Sequence, residues 1–382
     1  IAYADAGNSS GAGTAIVGTV SGTSISFGTT ATLSSITTSN DPSAVYDPDN
    51  QNIKVSFRQS ASPNSLYVLT ATISGTSVSA SGEKVLFATA ARVEQNSMVY
   101  DTTENKVVTA AYLSSNNYGI AFVHTGVAGT SSDNFLGIAD AAISNAASGK
   151  ITMKGGVATN SQLLPLAYTG SLGSEATYES AQTEYQGIAY DSSNNRVVVA
   201  YKDDGNSSYG TCAVGTVSGT SISWGTPVVF AAASTSYCDC VFDSSNNKIV
   251  IVYSDVGNSE YGTAIVGTVS GTSISFGSEV VFASAATTYI GATFDSNSNK
   301  VVVAYRDDGN SQYLTAIVGT VSGTSISFGT EVVVDSGGAL SASFGTPGTI
   351  TFDSTNNKIV MAYGVSPNTY GIVGTVSGTS IS

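Results

Sequence analysis

The sequence predicts an all-β chain, a seven-bladed β-propeller built from four-stranded antiparallel blades, and three observations carry that expectation. A module of about 50 residues recurs along the whole chain. Each copy divides into four short apolar runs separated by Gly, Asn, Asp and Ser. No stretch places apolar residues at helical spacing over three turns.

The repeat is plainest in two neighbours. From Phe242 the chain reads FDSSNNKIVIVYSDVGNSEYGTAIVGTVSGTSISFGSEVVF, and from Phe294 it reads FDSNSNKVVVAYRDDGNSQYLTAIVGTVSGTSISFGTEVVV. An aspartate after an aromatic anchors the copies at Asp47, Asp101, Asp191, Asp243, Asp295 and Asp353. The second apolar run occurs seven times, at Ile1, Ile53, Val107, Val197, Ile249, Val301 and Ile359.

Within a unit, strand a is an apolar run ending in the anchor, as in Cys240 to Asp243. The SSNNK that follows is a tight turn, because Asn tolerates positive φ. Strand b (Val301 to Tyr305) is continuous and β-branched, which predicts burial on both faces. A loop of the type Asp-Asp-Gly-Asn-Ser leads to strand c (Thr315 to Val321), and Ser322-Gly323 reverses the chain into strand d (Ser325 to Phe328). A longer d-to-a link is expected to cross from the outer edge of one blade to the inner edge of the next. The competing β arrangement, a linear stack of hairpins, has shorter repeats of about 20 to 30 residues.

The first copy lacks strand a and the last stops at Ser382 inside strand d, so the reading favours an excerpt of a longer polypeptide. The wide interval from Asp101 to Asp191 marks an insertion. The expected organisation is therefore residues 1–125 as units 1 to 3, residues 126–168 as an inserted small β module, and residues 169–382 as the remainder of unit 3 with units 4 to 7. Insertion at a hairpin tip is thermodynamically mild, since loop-closure entropy grows only logarithmically with length.

Composition narrows the function classes. Charged residues make up 10% of the chain, against about 25% in an average domain. With 13 Lys and Arg against 27 Asp and Glu, the net charge of −14 argues against a nucleic-acid partner. No run approaches the length of a membrane-spanning helix, and no basic leader precedes the strand pattern at Ile1. Cys212, Cys238 and Cys240 lack the second Cys/His pair of a zinc site and read as small buried hydrophobes.

Catalytic signals are sparse. The lone histidine, His124, has no partner motif and reads as structural. Arg58, Arg92, Arg196 and Arg306 fall in different units at unmatched positions, against the arginine cluster that a sialoside hydrolase needs for its substrate carboxylate. A polysaccharide hydrolase needs a carboxylate pair facing a cleft, which turn aspartates supply only by accident. The chain is read as a non-enzyme without a cofactor.

Two sets of loop residues remain as binding candidates. Asp203, Asp204, Asp255, Asp307 and Asp308 in the b–c loops offer oxygens to a hard cation such as calcium, yet Asp and Gly are equally what a β-turn demands. Tyr67, Tyr118, Tyr209, Tyr261, Tyr313 and Tyr370 end six of the b–c loops, and a rim of aromatic faces suits sugar rings. The alternative is that each tyrosine packs against the neighbouring blade.

The consensus GTAIVGTVSGTSISFGTxVVF, near Gly13, Gly210, Gly262 and Leu314, resembles repeats of fibre and appendage proteins of environmental, notably marine, bacteriophages. The insert's DNFLGIADAAISNAASGKIT is similar to a small β module of phage tail-associated proteins. The resemblance implies an extracellular virion structural or host-recognition role, with other copies or virion proteins as partners and a host-surface glycan as ligand. A purely architectural segment of a viral or bacterial appendage, with no ligand, is the alternative.

Overall fold

The computed structural model describes residues 1–4, 12–37, 42–59, 65–87, 93–114, 117–125, 138–139, 151–152, 173–340, 350–366 and 368–382. Among them the chain is all-β: antiparallel strands throughout, with two short 3-10 turns as the helical content. None of their helices is long and apolar enough to cross a membrane.

Unit 4 shows the plan. Strands a (Thr183–Asp191), b (Arg196–Asp203) and c (Tyr209–Ser218) pair in chain order. The anchor aspartate makes the a–b turn. Asp191 Oδ1 accepts the backbone N–H groups of Ser193 and Asn194, while Asn195 sits at φ 54°. Asp47, Asp101, Asp243, Asp295 and Asp353 accept turn N–H groups in the same way. At the c–d turn Gly219 alone takes φ 60°, as the first central residue of a type II′ hairpin does.

Strand d differs from the expected single run. It is split into Ser221–Trp224, which pairs the far end of c, and the first half of Val228–Asp243, which pairs its near end. Gly225 falls in the break and packs against the Thr272 carbonyl of unit 5; a Cβ there would overlap that oxygen. Gly173, Gly277 and Gly329 meet the corresponding turn threonine of the following unit in the same manner.

The longer d-to-a link is also corrected. Residues Val228–Asp243 and Val280–Asp295 are each hydrogen-bonded strand throughout, changing sheets with no loop between. Ser234 is the last residue paired to unit 4 and Thr235 the first paired to unit 5. Small residues let the chain corner so tightly, and backbone bonds hold it: Thr235 N–H donates to Ser208 and Thr287 N–H to Glu260, across to the preceding b–c loop. The b–c loops and d–a corners therefore share one end of the sheets, the a–b and c–d turns the other.

The core lies between sheets rather than within one. Six apolar clusters each join residues of two consecutive units, such as Val198, Cys212 and Phe230 of unit 4 with Ile249, Ile251 and Tyr253 of unit 5. Strand b is buried on both faces as expected, with Val301, Val302 and Val303 each at 0% exposure. Removing one such side chain from water contributes about 1.5–3 kcal/mol. Consecutive a strands neighbour one another from Ser43–Asp47 through Ile350–Asp353. Phe27 of unit 1 packs on Gly371 of unit 7, and Phe276 of unit 5 likewise packs against the core it shares with unit 4, beside Phe230.

The insertion leaves its attachment points in register. Gly173 N–H donates to Val123, matching Gly225 to Val214 and Gly277 to Val266. Of the expected module at 126–168, Ile138–Ala139 and Ile151–Thr152 pair as two short strands, and the rest lies outside the described residues.

Candidate functional site

The b–c end gathers most of the side chains that sequence reasoning singled out. Its aspartates serve the turns. Asp203, Asp255 and Asp307 close strand b, and their carboxylates accept N–H groups from Gly205, Asn258 and Gly309. Burial raises the pKa of all three. Asp204 pairs with Lys202 at 3.0 Å and accepts Ser208 Oγ; Asp308 pairs with Arg306 at 2.8 Å and accepts Thr288 Oγ1. Among the described residues no group of three His, Cys, Asp or Glu side chains is placed to hold a metal ion.

The six loop tyrosines do not form one equivalent set. Tyr118, Tyr209, Tyr261 and Tyr313 open strand c, the last three opposite Asp203, Asp255 and Asp307 and all half-buried. Tyr67 and Tyr370 sit two residues further along c, where they stack on Phe57 and Tyr363 at 5.7 Å. In unit 2 strand c pairs b at the same spacing as in unit 4, Ile53 facing Ala71 as Val197 faces Gly215, so Tyr67 simply stands two residues later. In unit 7 the connection is shorter, with Ile359 facing Gly374, which brings Tyr370 deeper along c.

An inner tier of tyrosines was not anticipated. Tyr185, Tyr237 and Tyr289 lie near the start of consecutive a strands, at φ 54°, 51° and 51°. Each occupies a bulge where the a–b register slips, between Glu184 and Gly187, Ser236 and Asp239, Thr288 and Gly291. A bulge re-aims the side chain it carries. Ring centroids are 4.8 Å apart from Tyr185 to Tyr237 and 5.1 Å from Tyr237 to Tyr289, tilted by 43° and 54°. The Arg306 guanidinium lies over the Tyr289 ring at 4.8 Å. A buried threonine stands two residues before each, Thr183, Thr235 or Thr287. The signal was present in the sequence as Thr-x-Tyr recurring at those three positions.

Cations flank this arc. Lys202 bonds Glu184 at 2.8 Å; burial pulls its pKa down, but Glu184 and Asp204 outweigh that and leave it raised. Arg58, Lys202 and Arg306 hold the same position on strand b, opposite Leu66, Gly210 and Leu314 of strand c, so Arg58 and Arg306 are matched by register, which corrects the expectation that their positions are unmatched. Beneath the arc Asp239 occupies the position of Gly187 and Gly291. Its carboxylate accepts the N–H groups of Cys240 and, from the next a strand, Ala292, and burial pushes its pKa up to about 6.

Further out, between units 5 and 6, a cavity of about 280 Å³ is lined by Phe282, Ala285, Asp307, Ile317 and Glu331 among others. Glu331 accepts the Tyr305 hydroxyl at 2.9 Å, as Glu279 accepts that of Tyr253. Where unit 4 has Pro227 instead, Tyr201 reaches back to Glu179 of unit 3.

The remaining candidates are structural in place. His124 is buried on strand c, its Nε2 3.1 Å from Thr109 Oγ1 on strand b. Cys212, Cys238 and Cys240 are free, share the core between units 4 and 5, and have their thiol pKa values pushed up by burial.

No protein-family model and no curated protein matches the chain. Among solved structures, a protein of unknown function from Dyadobacter fermentans is similar at 12% identity and a TM-score of 0.51, over 87% of this chain and 93% of that one. The lectin of Aleuria aurantia aligns at 11% identity and TM-score 0.45, over 89% of this chain and 97% of that one. A Trypanosoma rangeli sialidase aligns at 11% identity and TM-score 0.47, with the match spanning 91% of this chain and 55% of the sialidase. At these identities the likeness is one of fold, and the Dyadobacter protein is the one of the three above a TM-score of 0.5.

Proposed function

We propose that the chain is a non-enzymatic, seven-bladed propeller that binds glycan at its b–c end, in a host-recognition role on a virion or extracellular appendage. The observation that carries the binding reading is the gathering of tyrosines at that end in two tiers. Tyr118, Tyr209, Tyr261 and Tyr313 form the outer tier, and Tyr185, Tyr237 and Tyr289 the inner one. Aromatic rings beside Asp, Glu, Lys and Ser groups match the mixed apolar and hydroxyl surface of a sugar.

The ring reading is supported by the seams. Six of them carry the same apolar packing, and Phe27 on Gly371 sets the seventh pair of units in the same relation. The non-enzymatic reading is supported by how the candidate carboxylates are engaged, in turn caps, ion pairs and tyrosine bonds. The virion setting rests on the repeat's resemblance to phage appendage sequences.

Glycan-array binding of the chain, repeated with Tyr209, Tyr261 and Tyr313 changed to Ala, tests the proposal. Saturable binding to a defined glycan set is expected. An array without a hit would leave the architectural role standing instead.

A further inference from the structure

We propose that the inner arc of Tyr185, Tyr237 and Tyr289 is the seat of the ligand and that it takes an uncharged, polyhydroxylated sugar rather than an acidic one. The inference rests on the b–c end being the glycan-binding face, and adds where on it the ligand sits and what charge it carries.

The first argument is conformational. A bulky non-glycine residue at positive φ is an outlier, and glycine would occupy the same bulge without strain. Three consecutive units nonetheless hold tyrosine there, at φ values within a few degrees of one another. Strained residues of this kind are retained where the aimed side chain is used. None of the outer-tier tyrosines Tyr118, Tyr209, Tyr261 and Tyr313 is itself at positive φ.

The second argument is the geometry of the arc. Adjacent rings are tilted against each other rather than laid flat. Their mutual packing covers part of each face, and all three rings stay half-buried at the b–c end. Burial keeps the Tyr185 and Tyr237 phenols protonated. A phenol O–H both donates and accepts, which is the complement of vicinal sugar hydroxyls.

The third argument is charge. An acidic sugar needs an uncompensated cation at its carboxylate or sulfate. Both cations here are already engaged, Lys202 by Glu184 and Asp204 and Arg306 by Asp308 and the Tyr289 face. Recruiting either one would leave a partly buried carboxylate unpaired. The field of a chain with net charge −14 acts in the same direction.

The test is titration calorimetry with neutral oligosaccharides of three to six residues (gluco-, manno- and galacto-series) and with oligogalacturonate and sialyllactose as acidic counterparts. The variants are Tyr237→Gly, Tyr237→Phe, the outer-tier triple change to Ala, and Tyr46→Ala, a control on strand a near the a–b turn. Glycine suits the bulge, so Tyr237→Gly keeps its fold, which is checked by its melting temperature. Supporting results are a neutral ligand bound by the parent chain, weakened at least tenfold by Tyr237→Gly and less by Tyr237→Phe, with Tyr46→Ala unchanged. Bound ligand should also protect Tyr185, Tyr237 and Tyr289 from nitration by tetranitromethane, read by peptide mass. Unaltered affinity in a folded Tyr237→Gly variant, or preference for the acidic ligands, overturns this inference while leaving the glycan-binding face intact. Absence of binding to any sugar by the parent chain removes both.

Discussion

Asp239 shows how one substitution in a repeat changes the behaviour of its seam. Its sisters Gly187 and Gly291 present no side chain to the neighbouring a strand, whereas Asp239 places a carboxyl where burial holds its pKa near 6. A carboxyl whose pKa is raised on folding binds a proton more tightly in the native state, so stability falls as pH rises from about 4 to about 6. The span corresponds to a loss on the order of 1–3 kcal/mol. Asp203, Asp255 and Asp307 are shifted in the same direction and add to the slope. Urea midpoints are expected to be higher at pH 4.5 than at pH 7.5, with the difference reduced in Asp239→Gly; an unchanged slope in that variant would refute the assignment. The anchor aspartates act differently. Asp243 caps its turn through two backbone N–H groups and the side chains of Ser245 and Asn246. Asp243→Ala should cost about 2 kcal/mol, measured by chemical denaturation.

At the level of the strand, regular periodicity was legible and its interruptions were not. Strand b could be read because a run such as Val301 to Tyr305 has one physical explanation, burial on both faces. The a–b turns were equally plain, since Asp followed by Ser and Asn specifies its own hydrogen bonds. The inner tyrosines escaped notice because each lies in a bulge, where the alternation used to assign faces slips by one residue. Arg58 and Arg306 follow their anchors Asp47 and Asp295 at equal spacing, so their match was legible in the sequence, whereas the depth of Tyr67 and Tyr370 along strand c follows only from how c pairs with b. The break in strand d went unread because Gly225 is selected by a neighbouring unit's carbonyl, a contact with no local sequence signal. That contact yields its own prediction. Gly225→Ala should lower stability by about 1–3 kcal/mol through overlap with Thr272, whereas Gly219→Ala should act through backbone strain at φ 60° alone. Comparing melting curves of the two variants separates clash from strain.

For the molecule as a whole, cohesion comes from apolar seams rather than from ions. With 10% charged residues, thermal stability should change little between 0.05 and 0.5 M sodium chloride, roughly the range over which exposed pairs are screened. A marked salt dependence would point to ion pairs doing more than the seams. Several cationic side chains are tucked away as well: Lys54 is buried against Thr70 and Asp47, and Lys300 and Lys358 bond Thr320 and Thr375. Trypsin should therefore cut the native chain slowly despite its 13 Lys and Arg. Urea at the denaturation midpoint should abolish that resistance, which a timed digest would reveal.

The register at Val123 and Gly173 has a practical corollary. The polypeptide leaves unit 3 and re-enters it at the hairpin end, so whatever is carried there departs from the side remote from the tyrosine arc. The equivalent hairpins at Gly219, Gly271 and Gly323 are open to the same treatment. Cargo spliced into any of them leaves from the end opposite the b–c loops, so it can be exchanged without touching the arc of Tyr185, Tyr237 and Tyr289.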